Sequence, residues 1–196
     1  MYHLERLWIW LTRLTCCRGF GIQSPSAYSF VRDVVNEHYP YYSYADLRQQ
    51  LPNISKRERK LGEFFFRLAN FAQAERWICC QSSPHWLAPY VQTACKHTQL
   101  THLQPCNIPS LTPFEQPVVL HLRGVEHAEE IFEQLLPKFN AHTSLLIDEV
   151  SKSTHACQLW HRLQQDKRVG VTFDLYYCGV AFFDNARPKQ HYVINF

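Results

Sequence analysis

Two adjacent carboxylates, Asp148 and Glu149, follow the apolar run Ser144–Ile147. Acids at the end of such a run can serve as a general base. They can also hold a divalent cation, which prefers oxygen ligands. The structural alternative is that Glu149 helps cap the next helix and Asp148 is a solvated loop acid. No second acid follows the run Val118–Leu122, so no metal is expected there. Cys95, His97, His102 and Cys106 place four soft or borderline ligands within twelve positions, a set that suits zinc. That segment spans a helix end, a strand and a loop, and alternation along the strand scatters its side chains, so zinc is not expected either. Arg18, Gln23, Ser24 and the tyrosines 41, 42 and 44 are residue types that line substrate pockets. The same loop could instead only lock the N-terminal helices in place. Lys56-Arg57-Glu58-Arg59-Lys60 could meet phosphates or form the solvated start of a helix. No nucleophile elbow, phosphate loop or catalytic triad pattern occurs.

These residues hang on a chain organised around Glu75–Lys96. Trp77–Cys80 reads as a short strand. Ser83-Pro84 carries helix-start chemistry, a Ser cap followed by Pro at the first helical position. Trp86, Leu87, Tyr90, Val91 and Ala94 then recur at helical spacing. Strand, tight turn and helix open a doubly wound α/β sheet. Before this unit, residues 2–15 form an amphipathic helix with Leu4, Leu7, Trp8, Leu11 and Leu14 on one face. Ser24-Pro25 starts a second helix, Ala45–Gln50 is a helical turn, and Leu61, Phe64, Phe65, Leu68 and Phe71 stripe a third. After it, Gln99–Leu103 is a weak strand. Gln104–Pro117 holds four prolines and cannot hold a regular helix plus a strand. Val118–Leu122, Ser144–Ile147 and Val169–Leu175 read as strands, with helices over Glu126–Phe139 and Ser153–Gln165. Gly179–Phe183 returns antiparallel, and His191–Phe196 is a last strand. Alternating strands and helices imply parallel β with right-handed crossovers. The closing pair of strands predicts an antiparallel edge. The expected division is a helical N-terminal extension over residues 1–72 and an α/β domain over 73–196.

Composition narrows the classes. With 46% hydrophobic residues, 13 Phe, 10 Tyr and 5 Trp, the chain is globular and not disordered. A net charge of +3 does not argue for nucleic acid. The excess sits in residues 1–75, where ten basic residues face seven acidic ones. No apolar run approaches a membrane span. Leu7–Leu11 is too short for a signal-peptide core and follows Glu5-Arg6. The expectation is a cytoplasmic protein without a membrane partner. Cys16-Cys17 and Cys79-Cys80 are adjacent pairs, not C-x-x-C spacings, and read as small buried hydrophobes.

The element order resembles the class I S-adenosylmethionine (SAM)-dependent methyltransferase fold. Within it the chain is similar to a bacterial group of small O-methyltransferase-like proteins. Arg18–Pro25, RGFGIQSP, resembles that group's RGxGxHSP loop, with Gln23 in place of His. FRLANF, from Phe66, resembles its helix before the first strand. LLIDEVSKS, Trp160, RVGVTFDLYYCGVAFF and KQHYVINF resemble its last third almost position for position. The resemblance implies a Rossmann-like, mostly parallel sheet with antiparallel C-terminal strands. It also implies SAM as cofactor if the protein is active. In the group the first strand ends in E-x-G, with a second Gly four residues on. Cys79, Gln81 and His85 stand at those positions here. The acid after the second strand is absent from Leu103–Cys106, and the one after the next strand is replaced within Leu120-His121-Leu122. The third-strand region is too short, which predicts a sheet without that strand.

A non-glycine residue in a left-handed turn costs about 1–2 kcal/mol. Each lost charge-assisted hydrogen bond is worth about 1.5–3 kcal/mol. Two or three such losses weaken binding by a factor on the order of 10² to 10⁴. The first expectation is therefore a methyltransferase-like protein that has lost cofactor binding and catalysis, a pseudo-enzyme or interaction module with a protein partner. Two alternatives stand beside it. One is an active O-methyltransferase using Asp148 or Glu149 with the Arg18–Ser24 loop. The other is a nucleic-acid binder using the basic N-terminal region. Trp86 and His85 are expected to plug the cofactor space under the first reading.

Overall fold

The computed structural model describes residues 2–16, 21–80, 82–108, 110–123, 128–151, 153–184 and 188–196. They form two compact units. One contains Met1–Gln73, Pro84–Thr98 and Asn195–Phe196; the other contains Ala74–Ser83 and Gln99–Ile194.

The first unit is helical. It holds α1 (Tyr2–Thr12), α2 (Pro25–Phe30), α3 (Tyr42–Gln50), α4 (Lys56–Ala72) and α5 (Leu87–Ala94). Ser24 caps α2, with Pro25 at its first position, as the sequence predicts. A π-helical turn, Val31–Val35, extends α2. Arg67, buried on α4, donates to the carbonyls of Val34 and Val35 and to the Tyr44 hydroxyl. It thus satisfies acceptors that the end of the helix leaves open. The start of α4 is fixed by a capping box between Ser55 and Glu58. Its stripe buries Leu61, Phe64, Phe65 and Leu68, while Phe71 is half exposed and meets Phe30 edge-on.

Two helices depart from expectation. α5 begins at Leu87, and Ser83 does not cap it. Pro89 accounts for the shift. In a helix starting at Pro84 it would sit in the interior, without an N–H and against the preceding turn. Starting at Leu87 puts Pro89 in the first turn, where no N–H is needed. In α1 the side turned inward is that of Ile9; Leu4, Leu7, Trp8 and Leu11 are exposed, as is Leu14 beyond the helix end.

The second unit is a seven-stranded sheet of β1 (Arg76–Cys80), β2 (Gln99–Leu103), β3 (Val118–Leu122), β4 (Thr143–Asp148), β5 (Val171–Asp174), β6 (Cys178–Phe182) and β7 (Gln190–Val193). The order is β2-β1-β3-β4-β6-β5-β7. Only β6 runs antiparallel, and it lies between β4 and β5. The expected antiparallel edge is therefore interior, because β7 adds outside β5 in parallel. No strand lies between β2 and β3 among the described residues. Gln104–Pro117 makes a 3₁₀ turn at Pro105–Asn107 and sends Ile108 and Phe114 into the core. β2 is left as the edge, so the third strand is missing as expected, and β7 makes up the count of seven.

α6 (Ala128–Leu135) and α7 (Thr154–Gln165) cover one face of the sheet. Ile131, Phe132, Leu159, Trp160 and Leu163 pack there against Ile78, Leu120, Leu145 and Ile147. Leu120, Leu145 and Leu159 are fully buried, which for side chains of this size is worth about 1.5–3 kcal/mol each.

Candidate functional site at the carboxyl edge of the sheet

Four parallel strands, β1 to β4, end on the same edge, where ligands collect in sheets of this kind. Register decides which side chains share a face there. Cys79 pairs with His121, and His121 with Leu146. Strand side chains alternate, so Asp148, two residues beyond Leu146, joins the same face. This is the face opposite α6 and α7.

His121 and Asp148 are both buried, and Nε2 lies 3.1 Å from Oδ1. The contact pairs the imidazole with the carboxylate at ion-pair distance. The guanidinium of Arg123, just past β3, reaches the other carboxylate oxygen at 3.5 Å and is itself partly exposed. Trp77 stands edge-on to the imidazole, with ring centroids 6.1 Å apart. Burial pulls the imidazolium toward the neutral form. The charge and close contact of Asp148, with Cys79 alongside, outweigh it and push the His121 pKa up to about 9. At neutral pH the site is thus an imidazolium facing a carboxylate, with a second cation on the carboxylate's far side.

Asp148 ends β4 as a buried acid, so the alternative of a solvated loop acid does not hold. Glu149 is exposed and left-handed, with φ at 58°. Its N–H donates to the Tyr177 carbonyl, and its own carbonyl accepts from Ser153 N–H. The cap of α7 is Ser153, whose hydroxyl accepts from Ala156 N–H. Among the described residues no three metal-ligating side chains come together. Cys95 and His97 belong to the helical unit, whereas His102 and Cys106 belong to the sheet unit.

Of the other expected site residues, Arg18 and Gln81 lie outside the described residues. Gln23 is exposed. Ser24 is engaged as the α2 cap. Tyr42 opens α3, and at 92% exposure it projects into solvent. Cys79 is buried beside His121. His85 is exposed. Trp86 is buried in the helical unit, stacked on Phe65 and donating to Glu58. Residues 79, 80 and 82–85 all avoid positive φ, so the described part of the glycine-free turn carries no left-handed strain. In the helical unit, Lys60 sits 3.9 Å above the Phe196 ring and Glu58 is tied into the capping box, which breaks up the basic run.

The sequence pointed to Asp148 but not to His121 as its partner. A lone His in Val118–Leu122 reads as a core residue, and the two lie 27 positions apart across a crossover.

No family model and no curated protein matches the chain. Among solved structures it is similar to the S-adenosylhomocysteine (SAH)-bound methyltransferase PaMTH1 of Podospora anserina. Identity is 10%, the TM-score is 0.54, and 81% of this chain and 93% of that one are covered. It is also similar to the O-methyltransferase TomG of Streptomyces achromogenes, solved with SAM, at 11% identity and a TM-score of 0.47, covering 76% and 92%. The likeness to PaMTH1 identifies the architecture as the Rossmann-like methyltransferase fold.

Proposed function

We propose that this is a methyltransferase-fold protein that has exchanged cofactor binding and catalysis for a role as an interaction module. The observation that carries the reading is the neutralised acid at the sheet edge. Asp148 is the carboxylate best placed to act as base or cation ligand, and it is already matched by His121 and Arg123. Freeing it would leave an imidazolium buried without its counter-charge, which is strongly unfavourable. The other strand ends on this edge add support. β1, β2 and β3 finish in Cys79-Cys80, Leu103-Gln104 and Leu122-Arg123, none of which offers a carboxylate for ribose hydroxyls.

PaMTH1 was solved with SAH bound, so the same fold can hold the cofactor product. The rival reading is an O-methyltransferase that uses Asp148 or Glu149 in an atypical site. Thermal unfolding with SAH separates the two. A ligand bound a hundredfold above its dissociation constant stabilises by about 2.7 kcal/mol. We expect no rise in the unfolding midpoint at millimolar SAH. A rise of several degrees would install the enzyme reading.

A further inference from the structure

We propose that the open edge of β2 docks a second copy of this chain, the two β2 strands pairing antiparallel about a two-fold axis at Thr101. β2 is an edge because the segment after it turns at Pro105–Asn107 and adds no strand among the described residues. Gln99 N–H donates to the Glu75 carbonyl, so the main-chain groups of Gln99 point toward β1. Main-chain groups alternate in direction along a strand. Those of Thr101 and Leu103 therefore also face β1, and those of Leu100 and His102 face away from the sheet. Among the described residues, no backbone hydrogen bond from a loop or helix reaches Leu100 or His102. Gln99, Thr101 and His102 are exposed, which leaves the strand accessible from outside.

An outward row of N–H and C=O groups is a template for another strand. Proteins that keep such an edge unpaired protect it with Lys or other charges, Pro, or a bulge. Gln99–Leu103, QLTHL, holds no Lys, Arg, Asp, Glu or Pro. Its five residues pair with β1 in unbroken register, so no bulge turns the edge aside.

Register selects the occupant. The longest stretches outside the described residues, 17–20 and 124–127, are shorter than β2 and cannot supply a strand to match it. The strand carries no formal charge to be matched by a charged partner, and it is complementary to itself. Turned about an axis at Thr101, Leu100 of one copy faces His102 of the other. Both point outward, and opposed outward residues on antiparallel strands exchange both of their N–H···O=C bonds. The symmetry repeats the pair, so every outward group within both strands finds a partner. An axis at Leu100 or at His102 would carry one of the two outward residues past the end of the opposite strand. Thr101 pairs in register with Ile78, so its side chain stands on the face that carries α6 and α7. Across the axis it meets its own counterpart, and Thr–Thr is a favourable cross-strand pair. Two sheets joined in this way become one continuous sheet. The inference does not depend on whether SAM binds.

The experiment is sedimentation equilibrium of the full chain from micromolar to millimolar protein. The parent should pass from the 23.2 kDa monomer to twice that mass. Leu100→Pro removes an N–H that points outward, which an edge strand tolerates. It should raise the dimer dissociation constant at least about tenfold, since the pair loses a hydrogen bond on each strand. Thr101→Lys and Thr101→Glu each set like charges opposite one another and should be monomeric, whereas an equimolar mixture of the two should dimerise again. Thr101 is exposed, so either charge is solvated in the monomer, and circular dichroism matching the parent's shows that the variants are folded. A parent that stays monomeric throughout overturns the proposal. So does a dimer that holds the parent's dissociation constant in Leu100→Pro. Failure of the mixed variants to associate overturns the axis at Thr101. A thermal shift with SAH bears on the proposed function alone and leaves this outcome unchanged.

Discussion

His121 Nε2 lies 3.1 Å from Asp148 Oδ1 in the interior of the sheet unit, with Arg123 on the carboxylate's other oxygen. The contact joins the ends of β3 and β4, where the resemblance implies a ligand-binding acid and where a histidine stands instead. The carboxylate therefore meets a cationic group on each of its two oxygens.

The pair has a pH signature. Burial opposes the charge on His121, but Asp148 raises its pKa from 6.5 to about 9. A raised histidine pKa stabilises the folded state in full below about 6.5, and that contribution is lost as pH rises through about 9. The size is on the order of 3 kcal/mol. Urea unfolding between pH 6 and 10 should show stability falling across this window. The imidazole resonance of His121, followed by NMR, should titrate near 9. A midpoint at or below 6.5 would contradict the pairing.

Removing one partner should cost more than removing both. Asp148→Asn leaves the imidazole without its counter-charge, and a loss of about 3–5 kcal/mol is expected for a broken buried pair. Adding His121→Leu to it should recover part of that loss. Magnesium chloride should leave the parent's unfolding midpoint unchanged. A midpoint that rises with magnesium would mean that Asp148 remains open to cations.

Gly179 on β6 faces the ring of Trp160 on α7. A Cβ there would come within 2.5 Å of Trp160 Cζ3. Both residues belong to the segments that resemble the methyltransferase-like group, and the structure makes them one contact. Gly179→Ala should destabilise by about 1–3 kcal/mol through overpacking. A shift in the urea midpoint measures it, and no shift would mean that the ring moves aside freely.

The capping box of α4 predicts that Ser55→Ala lowers stability by about 1 kcal/mol. The Ser55 hydrogen bonds, with help from Trp86, hold the Glu58 carboxyl below its usual range despite partial burial. A depressed carboxylate stabilises above its unfolded pKa and loses that as pH falls. The Ser55→Ala penalty should therefore shrink in acid, which unfolding curves at pH 3 and pH 7 would show.

The strands that lie in the middle of the sheet were legible because burial on both faces makes continuous apolar runs, as in Val118–Leu122 and Ser144–Ile147. α4 was legible because cap and stripe agree. The start of α5 was not, because Ser83-Pro84 is a local signal and Pro89, five residues on, decides where the helix can begin. The place of β6 inside the sheet was hidden because sequence order does not state which strand a hairpin returns beside. The apolar row of α1 was visible, but periodicity does not say whether such a row is covered. Asp148 could be picked out by its position after a strand. Its partner could not, because parallel crossovers bring together residues that no local spacing links.

The most direct measurement is isothermal titration of SAM and SAH into the purified protein. The account predicts no binding heat up to millimolar ligand, in line with the loss of two or more charge-assisted hydrogen bonds. Micromolar binding of either compound would contradict it and would make Asp148 and Glu149 the first residues to replace in an assay of methyl transfer.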